Sequence, residues 1–230
     1  MTAVLEVDHL SSGYGPSTVV RGVSFEVQPG QVVCVMGRNG AGKTTLLKSL
    51  MGLLPFTGTV RLAGSEISGW HGHRINAHGM VWVPQEDTVF TGLTVREHLV
   101  IALHGRYPER GIAAAATLFP IIGERLDQKA QTLSGGERKM LGLAQALVVD
   151  PKVVLMDEPT EGVAPIVVEQ LIPAIEALAR KASVVLVEQN VDTALALGSH
   201  AYVLERGSIV ESGNIRELHD GGVLEQRLAL

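Results

Sequence analysis

Three short stretches carry residue types whose spacing implies chemistry on a nucleotide. The first is Gly37-Arg38-Asn39-Gly40-Ala41-Gly42-Lys43-Thr44, followed by Thr45, which fits the G-x-x-x-x-G-K-[ST] pattern of a phosphate-binding loop. Glycine lets the backbone curl until successive N–H groups face phosphate oxygens. Lys43 then brings positive charge to the β- and γ-phosphates, and the Thr44 hydroxyl suits Mg²⁺. The second stretch is the apolar run Val153–Met156 leading into Asp157 and Glu158. Acids at the C-terminal end of a parallel strand lie beside the nucleotide crevice. Asp157 is expected to hold Mg²⁺, directly or through water. Glu158 is expected to orient and deprotonate the attacking water. The third is Leu133-Ser134-Gly135-Gly136-Glu137. Ser134 and Glu137 have the spacing of a capping box. A cap does not explain the glycine pair.

A phosphate loop works only between a strand and a helix, and the flanking pattern supplies both. Val32–Met36 is a short apolar run that reads as a strand buried on both faces, and a helix is expected from Lys43 to about Leu53. Further strands are expected from Val4, over Val19–Val27, near Thr59–Leu62 and over Val81–Val83; those before Lys43 and near Thr59 alternate as half-exposed antiparallel strands do. Thr94-x-x-Glu97 caps a helix to about Leu103, and Ala113–Phe119 is a second helical patch. After the helix Ser134–Val148 the chain alternates: strand to Asp157, helix Val167–Arg180, strand Ser183–Val187, a short helix near Thr193–Leu197, then strands at Tyr202–Leu204 and Ile209–Val210. His71, His73 and His78 fall in a stretch that reads as loop, and solvated histidines are a better reading of them than a metal site.

Composition agrees with an α/β core. Apolar residues make up 46% of 230, charged residues 19%, and the net charge is only -5, which excludes a disordered chain. No run reaches the length needed to span a bilayer. The acidic balance and the lack of a basic stripe argue against nucleic-acid binding. The single cysteine, Cys34, reads as a buried apolar side chain of the strand Val32–Met36. With no basic-then-apolar leader, a cytosolic location is expected.

Taken together, the phosphate loop, the Asp157-Glu158 strand end and the Leu133–Glu137 segment resemble the ATP-binding subunits of ABC transporters along nearly the whole chain. The resemblance implies a single ABC ATPase domain over 1–230: a phosphate-loop parallel sheet core (1–84 and 137–230), an N-terminal antiparallel β subdomain, and a helical subdomain inserted at about 85–136. It implies ATP and Mg²⁺ as ligands. Tyr14, expected in a Gly-Tyr-Gly turn after the first strand, matches the aromatic that stacks on adenine, and Gln85 the glutamine that reaches Mg²⁺ and the attacking water. Gln189 stands where most members carry a histidine that senses the γ-phosphate. Ser134, Gly135, Gly136 and Glu137 match the segment that closes on ATP bound to a second subunit, head to tail. Glu161-Gly-Val-Ala-Pro165 occupies the following loop but has Ala164 where an acid is usual.

The same resemblance implies separate integral membrane permeases as partners, received near Glu86–Phe90 and the helix from Thr94, and indirectly a solute-binding protein. The expected location is cytoplasmic, peripheral on the inner face of the membrane. A soluble ABC ATPase of DNA repair, translation or cluster assembly is the competing class, disfavoured by one cassette and a short insert. Gly37-Arg-Asn-Gly40, Glu158-Pro-Thr-Glu-Gly-Val-Ala-Pro165 and Val187-Glu-Gln-Asn190 are similar to importers of branched-chain and other hydrophobic amino acids, and to their relatives for urea and short amides. The residues leave that choice open.

Overall fold

A computed structural model describes residues 2–86, 89–103 and 108–228. The alternating N-terminal segments form β1 (Leu5–Tyr14) and β2 (Ser17–Val27), an antiparallel hairpin. After β3 (Val32–Met36) and α1 (Lys43–Leu50) the chain returns to the hairpin's sheet as β4 (Phe56–Leu62) and β5 (Ser65–Glu66). The order of this four-stranded sheet is β2-β1-β4-β5. Helix α2 (Gly72–His78) and strand β6 (Met80–Val83) lead into the insert, which holds α3 (Val95–Ala102), α4 (Pro108–Leu118) and α5 (Pro120–Glu124). Helix α6 (Gly135–Val148) leads back to the core, followed by β7 (Val153–Asp157), α7 (Pro165–Ala179), β8 (Ser183–Glu188), α8 (Val191–Leu197), β9 (His200–Glu205), β10 (Ser208–Asn214), α9 (Ile215–Asp220) and α10 (Val223–Leu228).

The second sheet has the order β10-β9-β3-β8-β7-β6; all its pairs are parallel except β10 on β9. Its central strands are buried along their length because both faces are covered, and apolar but for Ser183 and the closing acids Asp157 and Glu188. Cys34 and Met36, Val154 and Met156, Val184 and Leu186 face the core built with α6, α7 and the insert. Val33 and Val35, Val153 and Leu155, Val185 and Val187 face the core shared with α1 and the antiparallel sheet. Cys34 is fully buried, and burial, with a smaller push from Glu188, drives its thiol up to about 12. It behaves as the expected core side chain.

Three local expectations need correction. The His71–His78 stretch is mostly helix, α2, with His71 as its N-cap. The His78 ring meets Trp70 edge-on, so apolar packing of Trp70 and Ile75 fixes a turn that polar composition alone reads as loop. Tyr14 closes β1 opposite Ser17 rather than standing in a turn. Helices α9 and α10 follow β10 where the sequence reading placed nothing. Asn214 caps α9 through its side chain, with Oδ1 accepting from the N–H groups of Arg216 and Glu217.

Candidate functional site

The loop Gly37–Gly42 leaves the C-terminal end of β3, between β9 and β8, so the sheet delivers it to the crevice of a doubly wound fold. Gly40 and Gly42 have φ of +81° and +109°, which side chains resist, and Gly42 is the N-cap of α1. A Cβ on Gly37 would stand 2.6 Å from the Leu204 carbonyl oxygen, so that position also has no room for a side chain. The result is a curled backbone feeding a helix N-terminus, an arrangement made for an anion.

Lys43 is buried at the centre of this loop. Its Nζ donates to the carbonyls of Gly37 at 2.7 Å and Arg38 at 3.0 Å, and pairs with Glu158 Oε1 at 2.9 Å. The Thr44 hydroxyl donates to Asp157 Oδ1 at 3.2 Å, while Asp157 Oδ2 is buried and, among the described residues, has no hydrogen-bond partner. Burial pushes the Asp157 carboxyl above its usual range, against the pull of Thr44. A hydroxyl oxygen beside a buried carboxylate with an orphaned oxygen is the hard-oxygen set that Mg²⁺ prefers. Thr44 and Asp157 fit the ion expected there.

Glu158 follows β7 with φ +46°, a left-handed backbone rare for glutamate, and its N–H donates to the Val187 carbonyl of β8 at 2.9 Å. Strain of this kind persists where the surroundings over-determine it. Burial raises the Glu158 carboxyl, but hydrogen bonds with Glu161 and Lys43 outweigh it and hold the group below the ordinary range. The same bond acts on Glu161 in the other direction: with Glu158 accepting, Glu161 is pushed up to about 7.

Gln85 comes to this cluster by a route the sequence did not predict. Its Nε2 donates to Glu161 Oε2, and Lys139 of α6 donates to its backbone carbonyl. Gln189 follows β8 beside the Glu158 turn. Tyr14, half exposed, ends the β1–β2 hairpin, whose Val19 and Val20 line Gly42. Ser134–Glu137 form a complete capping box on α6: Ser134 Oγ accepts from the Glu137 N–H at 3.3 Å, and Glu137 Oε2 from the Ser134 N–H at 2.8 Å. Glu137 also pairs with Arg125 at 3.4 Å. Within one chain, none of these bonds reaches the phosphate loop. Of the expected docking segment, Asp87 and Thr88 lie outside the described residues.

Three residues around this cluster carry no local signal of a role. Glu161 falls in the loop that departs from the family pattern, Thr160 in the turn before it, and Glu188 at a strand end, where a glutamate ordinarily reads as solvated. Glu188 lies instead at 2% exposure.

Comparison with known proteins places this geometry. The family model described as ABC transporter matches residues 20–161. The chain is 40% identical to the high-affinity branched-chain amino acid transport ATP-binding protein BraG of Pseudomonas aeruginosa, over 95% of this chain and 93% of that one. It is 38% identical to the probable branched-chain amino acid transport ATP-binding protein LivF of Archaeoglobus fulgidus, over 94% of each. A Nod factor export ATP-binding protein of Paraburkholderia xenovorans is also similar, 37% identical over 92% of this chain and 71% of that one. Among solved structures, the ADP conformation of an ATP-binding cassette of an ABC transporter superposes with a TM-score of 0.85 over 100% of both chains, at 26% identity. With the phosphate loop, the acidic strand end and the capped glycine pair in these positions, the chain belongs to the ABC transporter family as one of its ATP-binding, ATP-hydrolysing proteins.

Proposed function

We propose that the chain is the ATP-hydrolysing subunit of an importer for branched-chain or other hydrophobic amino acids, working through separate membrane permeases and paired head to tail with a second ATPase subunit. The observation that carries this reading is the likeness to BraG over nearly the full length of both proteins. Among the described residues no helix is long and apolar enough to cross a membrane, which fits a chain that relies on partners for the pore. A role in urea or short-amide uptake remains an outcome of the test below.

The residues divide the work as follows. The curled backbone of Gly37–Gly42 and the start of α1 hold the β- and γ-phosphates, with Thr45 in the first turn and Tyr14 stacking on adenine. Lys43 exchanges its pairing with Glu158 for a phosphate oxygen, and this exchange frees the Glu158 carboxylate as ATP enters. Glu158 orients the water and takes its proton. Thr44 and Asp157 would hold Mg²⁺, with Gln85 beside them, and the ion would supply charge neutralisation to the phosphoryl group. Gln189 donates its amide N–H to a γ-phosphate oxygen, a neutral replacement for the usual histidine. Ser134, Gly135 and Gly136 of the second subunit complete the site.

The test is Glu158→Gln. ATP binding should persist, turnover should fall by ~10²–10⁴-fold, and the variant should accumulate as an ATP-bound dimer. In membranes carrying the partner permeases, it should also stop uptake of labelled leucine. Near-parent turnover would remove Glu158 from the role of base. Uptake of labelled urea without leucine would move the solute to the other class.

A further inference from the structure

Glu188 is a buried carboxylate to which the mechanism above gives no task. Among the described residues it has no ion-pair partner, and its donors are all neutral. Thr160 Oγ1 donates to Oε1 at 2.7 Å, while the N–H groups of Gln189 and Asn190 donate to Oε2 at 3.2 and 3.3 Å. Burying a carboxylate without a cation costs folding free energy that an apolar residue avoids. The arrangement makes sense where two acceptor oxygens are needed at once, one for each of two segments.

Those two segments are the ones that matter for hydrolysis. Thr160 lies two residues after Glu158 in the turn that leaves β7, and Gln189 begins the turn that leaves β8. The strands are already tied at their ends by the Glu158 N–H to the Val187 carbonyl. Beyond that bond no ladder remains, and the Glu188 carboxylate is the next link. The network continues: Thr160 Oγ1 lies 3.5 Å from Thr193 Oγ1, and Asn190 Oδ1 caps α8 by accepting from the Thr193 N–H at 2.8 Å. Thr160, Glu188 and Thr193 are all buried. Water therefore competes little for these bonds.

We infer that Glu188 and Thr160 are positioning residues for hydrolysis, a buried clamp that sets the turn bearing Gln189 against the turn bearing Glu158. The inference rests on the reading that Glu158 and Gln189 act at the γ-phosphate. Ground-state binding through the phosphate loop lies on β3 and α1 and does not depend on the clamp. Loosening it should lower kcat and leave ATP affinity nearly unchanged.

The experiment measures kcat, KM, ATP affinity and melting temperature on the purified chain with Mg-ATP. The variants are Thr160→Val, Thr160→Ser and Glu188→Ala, with Glu158→Gln as control. Misplacement of about 1 Å costs up to ~10²-fold in rate, so Thr160→Val and Glu188→Ala should lose about tenfold or more in kcat, with ATP affinity within about twofold. Thr160→Ser restores the hydroxyl and should stay within about twofold of the parent. Glu188→Ala introduced into Gln189→Ala should cost less in kcat than it does in the parent, since part of the clamp's effect passes through Gln189 and coupled positions are not additive. Parent-like kcat in folded Thr160→Val and Glu188→Ala, whatever their melting temperatures, would reduce the network to packing and overturn the inference. Fully multiplicative losses with Gln189→Ala would do the same. Thr160→Val carries the test if Glu188→Ala does not fold. Should Glu158→Gln itself turn over normally, the reading of the site fails and the clamp falls with it, an outcome the control separates from failure of the clamp alone.

Discussion

Lys43 and Glu158 meet at 2.9 Å, both nearly buried. Each group satisfies the other, and neither is left as an uncompensated charge, the costly alternative. Glu161 adds a third member to this cluster, its carboxyl pushed up to about 7 by the hydrogen bond to Glu158. A carboxyl with a raised folded value keeps a proton that the unfolded chain gives up near 4.5. Its contribution is then full below about 4.5 and is lost as pH rises through about 7. Stability of the nucleotide-free chain should decline over that window, and Glu161→Gln should flatten the decline. Asp157 and Glu188, also raised by burial, act in the same direction, so the readout is the difference in slope between parent and variant in denaturant midpoints from acid to neutral pH. Identical slopes would show that Glu161 and Glu158 do not share a proton.

At the scale of elements, helix α6 does two jobs at one end. Ser134 and Glu137 satisfy backbone donors that the first turn of a helix leaves open. The same end presents Gly135 and Gly136, with open space around a Cβ on Gly135 but Val167 of α7 only 2.6 Å from one on Gly136. Gly136 thus answers to packing within the chain, and Gly135 to what comes from outside. The two jobs separate by mutation. Ser134→Ala removes the cap and should cost about 1 kcal/mol, or roughly 2–4 °C in a chain of this size. Ser134→Asp keeps the cap but sets a carboxylate where a γ-phosphate is expected. Its melting temperature should stay near the parent's and its ATP affinity as a monomer should hold, while turnover collapses. Parent-like turnover in Ser134→Asp would leave the segment a plain helix cap.

Across the whole molecule, Gln85 links the start of the insert to the acidic cluster at Glu158 and Glu161. Gln85 touches Glu161 through its side chain and Lys139 through its carbonyl, so one residue spans the nucleotide crevice and α6. Just beyond it, Val83, Glu86, Val89, Gly142 and Gln145 line a small groove. Gln145 Nε2 donates to the carbonyl of buried His98 of α3 at 3.4 Å, and the His98 ring in turn accepts from the Phe90 N–H through Nε2 at 2.8 Å and meets the Thr94 carbonyl through Nδ1 at 2.8 Å. A membrane partner seated in that groove would meet Glu86, the neighbour of Gln85, and Lys139, which donates to the Gln85 carbonyl. Glu86→Lys should therefore uncouple uptake from hydrolysis when the chain is assembled with its permeases, and leave basal ATPase of the isolated chain unchanged. Transport at the parent's rate in reconstituted vesicles would place the contact elsewhere.

Much of this protein was legible in its residues. The phosphate loop, the acids closing β7 and both capping boxes depend on local sequence: glycine where φ is positive, a hydroxyl and a glutamate three residues apart, apolar runs where both faces are covered. Those rules act over a few residues, so spacing alone determines them. Short helices were less visible. Helix α2 is held by burial of Ile75 and the packing of Trp70 on His78, which no local pattern announces. Helices α9 and α10, at six residues each, are too short to show a clear period. Only the tertiary structure decided what Glu161, Thr160 and Glu188 do. Glu188 ends a strand, where charge normally meets water, and it is buried because α8 and the turn after Glu158 close over it. Sequence fixes which side chains can form a hydrogen bond; distance between segments 28 residues apart, as with Thr160 and Glu188, is set by how the sheet brings its strands together.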